Sequence, residues 1–213
     1  MPIRLSKIDE LTRGDHTFLE PEDRCYYLRE YNSRKGYQFS GSNQLVFNLK
    51  KPLDRRGQAD WKHKGRAIQT AGRELREALD VLNPAWLGNS TLVPVPPSKT
   101  KSDPLYDDRI VEMLRVAGAG LELDLRELVL QRESTEAAHV AELRPRLTRL
   151  IENYRVDESL LTPLPRVLAI VDDVLTTGAH FKAVQTLLRD RIPAVPILGL
   201  FIARRVPDPF EAL

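Results

Sequence analysis

The chain carries one cysteine, Cys25, in 213 residues. A lone thiol cannot close an internal disulfide, nor supply the thiolates of a zinc ribbon, so Cys25 reads as an ordinary packed side chain. Long apolar runs are missing as well. The longest, "IPAVPILGLFIA", is about 12 residues, short of the roughly 20 that cross a bilayer. The opening "MPIRLSKIDE" lacks the apolar stretch of a secretory leader. The expectation is a soluble, cytoplasmic protein without membrane contact. Charge is nearly balanced, 32 Lys plus Arg against 30 Asp plus Glu for a net +2, so no whole-protein field points to nucleic acid or membrane. There is no internal repeat and no low-complexity tract. No G-x-x-x-x-G-K-[ST] loop is present, and the "GAG" at Gly118 lacks the third glycine and preceding strand of a dinucleotide fingerprint.

What is present suits one α/β domain with a small addition. Residues 1–43 are polar and mixed, with a helix expected near 21–31 and a hairpin around Gly41-Ser42-Asn43 in "YQFSGSNQLVFNLK". From Trp61 the apolar positions Ile68, Ala71, Leu75, Leu79 and Leu82 mark one stripe of a long helix, ended by Asn83-Pro84. Lys62, Lys64, Arg66, Arg73 and Arg76 fall on its other, solvated face. "STLVPVPPSKT" is a short strand running into a Ser, Lys and Thr loop. "SDPLYDDRIVEMLRVAG" predicts a helix with Asp103 as N-cap, Pro104 first, and Gly118 just past its end. A strand ending near Leu130 follows, then a polar excursion over 132–154 interrupted by Pro145. "RVLAIVDDV" reads as a buried parallel strand and "AHFKAVQTLLRD" as a helix. "AVPILGLFIA" reads as a strand that Pro196 pushes to an edge or a bulge. The alternation after residue 90 predicts a parallel sheet with helices on its faces, whose ligand crevice lies beyond the carboxyl ends of the strands. The N-terminal residues 1–88 are set apart as an α+β appendage, or hood, from a core over 89–213.

The stretch "VDDVLTTGAH" (171–180) sits where a strand gives way to a helix. Thr176, Thr177, Gly178 and Ala179 are placed to turn successive amides toward one point at the positive end of that helix, which makes a phosphate seat. Asp172 and Asp173 would repel that same phosphate, so they need hydroxyl donors or a cation. Neighbouring strand residues point to opposite faces, so both acids reach one ligand only if the backbone bends there.

In type, order and spacing, "VLAIVDDVLTTGAH" resembles the phosphoribosyl pyrophosphate motif of the type I phosphoribosyltransferases. "TLVPVPPSKTK" and "LQRESTEAAHVAELRPRL" resemble segments of the competence-associated, ComF-like branch, and the likeness covers roughly residues 90–203. It implies that Asp172 and Asp173 hold the ribose hydroxyls and that Thr176, Thr177, Gly178, Ala179 and His180 hold the 5′-phosphate. Ser98, Lys99, Arg132 and Arg144 would then meet the pyrophosphate. It also implies Mg²⁺ bound mainly by the substrate's own oxygens, an unidentified base or amine as acceptor, and pairing of two copies through sheet-flanking helices. Three features differ from that family. His180 stands where the motif closes on Thr or Ser, Thr176 where purine-salvage members carry an acid, and the zinc ribbon of competence-type relatives is lacking. The alternative is a regulator or interaction protein of DNA uptake, repair or defence that binds the ligand without turnover. The run at 50–66 has seven basic residues against two acids, a mobile solvated surface or a contact for a phosphate-bearing or nucleic-acid partner. His63 reads as solvated, and His139 as a packed or surface residue.

Overall fold

The computed structural model describes residues 3–135 and 143–208, and the side chains of all of these except 143–146. In chain order the elements are strand β1 (Ser6–Lys7), helix α1 (Glu10–Arg13), strand β2 (Cys25–Tyr31), and helices α2 (Gly41–Leu49), α3 (Lys62–Leu82) and α4 (Trp86–Asn89). Strand β3 (Thr91–Pro94), helix α5 (Arg109–Ala117), strand β4 (Val129–Gln131), helix α6 (Leu143–Asn153) and strands β5 (Tyr154–Val156) and β6 (Leu168–Leu175) come next. Helix α7 (Ala179–Arg191) and strand β7 (Ile197–Arg205) close the order.

The fold is α/β, a mostly parallel sheet flanked by helices. Its five strands run β1-β2-β7-β6-β3, with only β1 antiparallel. The apolar run of β6 earns its central place because both faces are covered. Leu168, Ile170 and Leu175 enter the layer formed with α6 and α7, while Ala169 and Val171 enter the layer formed with α3 and α5. β6 stays in register with β7 from Leu168↔Ile197 to Leu175↔Arg204 and meets β3 from Thr91↔Leu168 to Pro94↔Val171. All four parallel strands therefore deliver their following segments to one edge.

Several expectations are corrected. Residues 21–31 are not helical: Cys25 and Tyr27 alternate inward along β2, which pairs with β7. The hairpin at 41–43 is the start of α2, because Ser40 Oγ accepts the Asn43 amide at 3.0 Å and acts as an N-cap. Asp103 caps only a turn, accepting from Leu105 N at 2.9 Å, so α5 begins at Arg109. The strand expected over 121–130 shrinks to β4, which leaves the main sheet to pair antiparallel with β5. β7 is central, not an edge, since Pro196 stands just before it and still accepts from Leu168 N at 2.9 Å. Pro145 falls in the first turn of α6, where a missing N–H is harmless. The division at residue 88 is crossed by the sheet, because β1 and β2 lie beside β7 and α2 and α3 cover one face. Cys25 is fully buried, as expected.

α3 meets α5 so closely at Gly72 that a Cβ there would lie 2.6 Å from the Met113 carbonyl oxygen and 2.7 Å from Val116 Cβ. Backbone cannot yield as a side-chain tip can. Gly72→Ala is therefore expected to destabilise the protein by about 1–3 kcal/mol, read as a lower urea midpoint at an unchanged m-value. A midpoint equal to the parent's would contradict this crossing.

Candidate functional site

The segment after β6 is built from its smallest residue outward. Gly178 has φ +83°, a left-handed backbone that L side chains rarely adopt, and it lets the chain turn from strand into the 13-residue helix α7. The first amides of α7 lack partners within their own helix, as at any helix start. Thr177 Oγ1 is buried with no hydrogen-bond partner among the described residues. His180 stands in the first turn, and its Nδ1 lies 2.7 Å from the buried Tyr154 hydroxyl. From the other side, Phe18 N donates to Thr177 O at 2.9 Å and His16 Nδ1 meets Thr176 O. The predicted phosphate residues thus form one small, amide-rich turn.

The acids are less symmetric than predicted. The ladder continues through Leu175, so the strand does not bend at Asp172 and Asp173. Asp173, 2 % exposed, receives Arg109 Nε at 2.9 Å and Nη2 at 2.8 Å, with Lys50 Nζ at 3.4 Å. Arg109 also binds Asp107 at 2.8 Å, which in turn receives Lys64 Nζ at 2.8 Å. Lys64, expected on a solvated face, is 4 % exposed and further donates to Leu49 O and Lys51 O. Burial would lift the Asp173 carboxyl, but Arg109 and Lys50 beside it hold it far below the usual carboxylate range. Asp172 goes the other way, raised by burial and by the charge of Asp173. Its Oδ1 accepts the Asp173 amide at 2.8 Å. Asp173 is thus tied to Arg109 and Lys50, whereas the half-buried Asp172 accepts the Asp173 amide.

The loop after β3 leaves the same edge as the turn after β6, because those strands are parallel neighbours. It borders a cleft of about 320 Å³ lined by Lys99, Lys101, Tyr106, Arg132 and Arg155 among others. Two predicted pyrophosphate residues, Lys99 and Arg132, therefore share one basic wall. Ser98 anchors that wall, its carbonyl accepting from Thr135 N at 2.8 Å. Arg132 Nε donates to Tyr154 O at 3.1 Å. The Arg144 side chain and His139 lie outside the described residues.

Arg109, Tyr106 and Arg155 were not assigned to a site from the sequence, and Lys50 was read only as the first residue of the basic run at 50–66. Arg109 had a signal available, a cation directly following Asp107 and Asp108. Four of the seven basic residues at 50–66 form ion pairs, Lys51 and Arg55 with Asp60 at 3.0 and 3.1 Å, Lys50 with Asp173 and Lys64 with Asp107, and of these Lys51 and Lys64 are largely buried. Among the described residues no helix is long and apolar enough to cross a membrane. Comparison with protein-family models and with curated proteins finds no match to this chain.

Proposed function

We propose that the protein is a Mg²⁺-dependent phosphoribosyltransferase of the type I kind, which binds phosphoribosyl pyrophosphate and transfers the phosphoribosyl group to a base or amine. One juxtaposition supports this most: an amide-rich turn beside the half-buried Asp172 leaves the same sheet edge as a basic cleft holding Lys99 and Arg132. Anionic groups at both ends of the ligand would find donors, and the sugar between them a carboxylate.

In this account the amides of Thr177, Gly178 and Ala179 hold the 5′-phosphate, and Asp172 accepts from ribose hydroxyls. Lys99 and Arg132 take the charge of the departing pyrophosphate. The reaction breaks the C1–O bond to pyrophosphate, forms a bond from the acceptor nitrogen to C1, and releases the proton of that nitrogen. Positive charge developing on the sugar is stabilised by Asp172 once it is ionised, which its raised pKa of about 7 makes pH-dependent. Asp173 does not touch substrate; it keeps Arg109 and Lys50 in place. Among the described residues no three His, Cys, Asp or Glu side chains gather into a cation cage. Asp172, a hard oxygen donor beside the turn, fits a cation shared with the ligand's own oxygens. Mg²⁺, when bound, neutralises the pyrophosphate.

Ligand at 100 times its dissociation constant stabilises by about 2.7 kcal/mol, so phosphoribosyl pyrophosphate with Mg²⁺ is expected to raise the melting temperature by roughly 5–10 °C. Asp172→Asn should remove that rise. Unchanged melting at millimolar ligand contradicts the proposal. A second reading, a regulator that binds without turnover, is favoured by the commitment of Asp173 to Arg109 and Lys50, which leaves one acid where the family motif offers two. Pyrophosphate release over a panel of bases and amines separates the two, since steady release with any acceptor removes the regulator.

A further inference from the structure

The segment from His16 to Asp23 is fastened along the turn after β6 and the start of α7. His16 Nδ1 meets Thr176 O, Phe18 N donates to Thr177 O at 2.9 Å, and Leu19 lies against Gly178, where a Cβ would come within 2.9 Å of Leu19 Cδ2. Asp23 then receives Lys182 Nζ at 2.8 Å and Gln185 Nε2 at 2.9 Å, both from α7.

A trans peptide points its C=O and its N–H in opposite directions. Holding Thr176 O toward His16 therefore turns the Thr177 amide away from it. Holding Thr177 O toward Phe18 turns the Gly178 amide away likewise. Neither of these two amides meets an acceptor among the described residues. Gly178 O accepts from Lys182 N at 2.9 Å within α7, which sends the Ala179 amide out of the helix end. A carbonyl oxygen only accepts, so the His16 nitrogen that meets it carries the proton. The imidazole is 1 % exposed, and its Nε2 is buried with no partner. Burial also lowers its pKa, which keeps the ring neutral at pH 7.

We infer that segment 16–19 is a strap that presets the anion seat, with His16 as the positioning residue that fixes the Thr177 amide toward the ligand through the Thr176 carbonyl. The inference rests on the proposed function only in taking this turn as an anion seat. No Thr or Ser side chain is needed at position 180 if backbone amides set from behind do the gripping.

The test uses inorganic phosphate as probe and ¹H–¹⁵N spectra as readout. In the parent protein, phosphate should shift the Thr177 and Gly178 amides. His16→Asn places an amide donor where Nδ1 was and should hold phosphate within about threefold of the parent. His16→Gln places its amide where Nε2 was, and should lose about tenfold or more in affinity, as expected for a misdirected donor to an anion. A merely space-filling role for His16 would not sort Asn from Gln in this way. Equal phosphate affinity in the parent, Asn and Gln forms overturns the strap and leaves the sugar-phosphate proposal standing. Parent amides that ignore phosphate overturn the strap even if a variant fails to fold. Phosphate held as expected, but no response to phosphoribosyl pyrophosphate, keeps the strap and removes the transferase.

Discussion

Asp173→Asn is expected to destabilise the protein by about 3–5 kcal/mol, because removing one partner of a buried ion pair leaves the other charged and unpaired. Here the Arg109 guanidinium loses Asp173 and keeps Asp107, and the more exposed Lys50 loses the same anion. For a chain of this length that is roughly 10 °C of melting temperature. Asp172→Asn should behave in the opposite sense. The folded protein raises the Asp172 pKa, so it binds this proton more tightly than the unfolded chain, and stability falls as pH rises from about 3.8 through the raised value. Replacing Asp172 removes that loss, so the variant should melt above the parent at pH 8 and match it near pH 4. For Asp173 the folded pKa is depressed. Its contribution is therefore present above about 3.8 and is lost as pH falls toward the depressed value. Thermal melts of both single variants at pH 4, 6 and 8 read all of this. Two neighbouring acids that respond alike would contradict the asymmetric site.

Gly178→Ala has the next largest expected effect. A left-handed backbone costs a non-glycine residue about 1–2 kcal/mol. The new Cβ would also meet Leu19 Cδ2 at 2.9 Å and Cγ at 3.1 Å. Together these predict a loss of about 2–3 kcal/mol, and a phosphate affinity at least about tenfold weaker as the amides move off target. The two causes separate experimentally. Leu19→Ala in the same chain opens the space and should return the steric part but not the backbone part. Full recovery would mean that the turn carries no backbone strain, and no loss from Gly178→Ala alone would mean that it is not left-handed.

The parts of the fold legible in the sequence are those decided locally. β6 is apolar on both faces, α3 carries one unbroken stripe, and Thr-Thr-Gly before an amphipathic helix leaves little choice of turn. Lys99 and Arg132 met at one cleft because the segments that carry them both pass that edge. The N-terminal third was misread for the opposite reason. β2 takes its partner some 170 residues further on, in β7, so its seven residues offered only a weak local signal. Gly41-Ser42-Asn43 was read as turn chemistry, although the Ser40 hydroxyl just before it caps a helix when apolar Leu45, Val46 and Leu49 follow. The fate of Asp173 was equally hidden. Its cations come from the end of α2 and the start of α5, and Arg109 beside two aspartates looked like part of a helix start. Lys64 was placed on a wet face because spacing on a helix says which side a residue takes, not whether another loop covers it.

The central claim is that the turn at 176–180 and Asp172 grip the two ends of a phosphorylated ribose. A crystal grown with phosphoribosyl pyrophosphate and Mg²⁺ tests it most directly. The account predicts the 5′-phosphate about 3 Å from the amides of Thr177, Gly178 and Ala179, a ribose hydroxyl on Asp172, and Asp173 still on Arg109. A ligand seated elsewhere, or a turn that stays empty at saturating ligand, contradicts it.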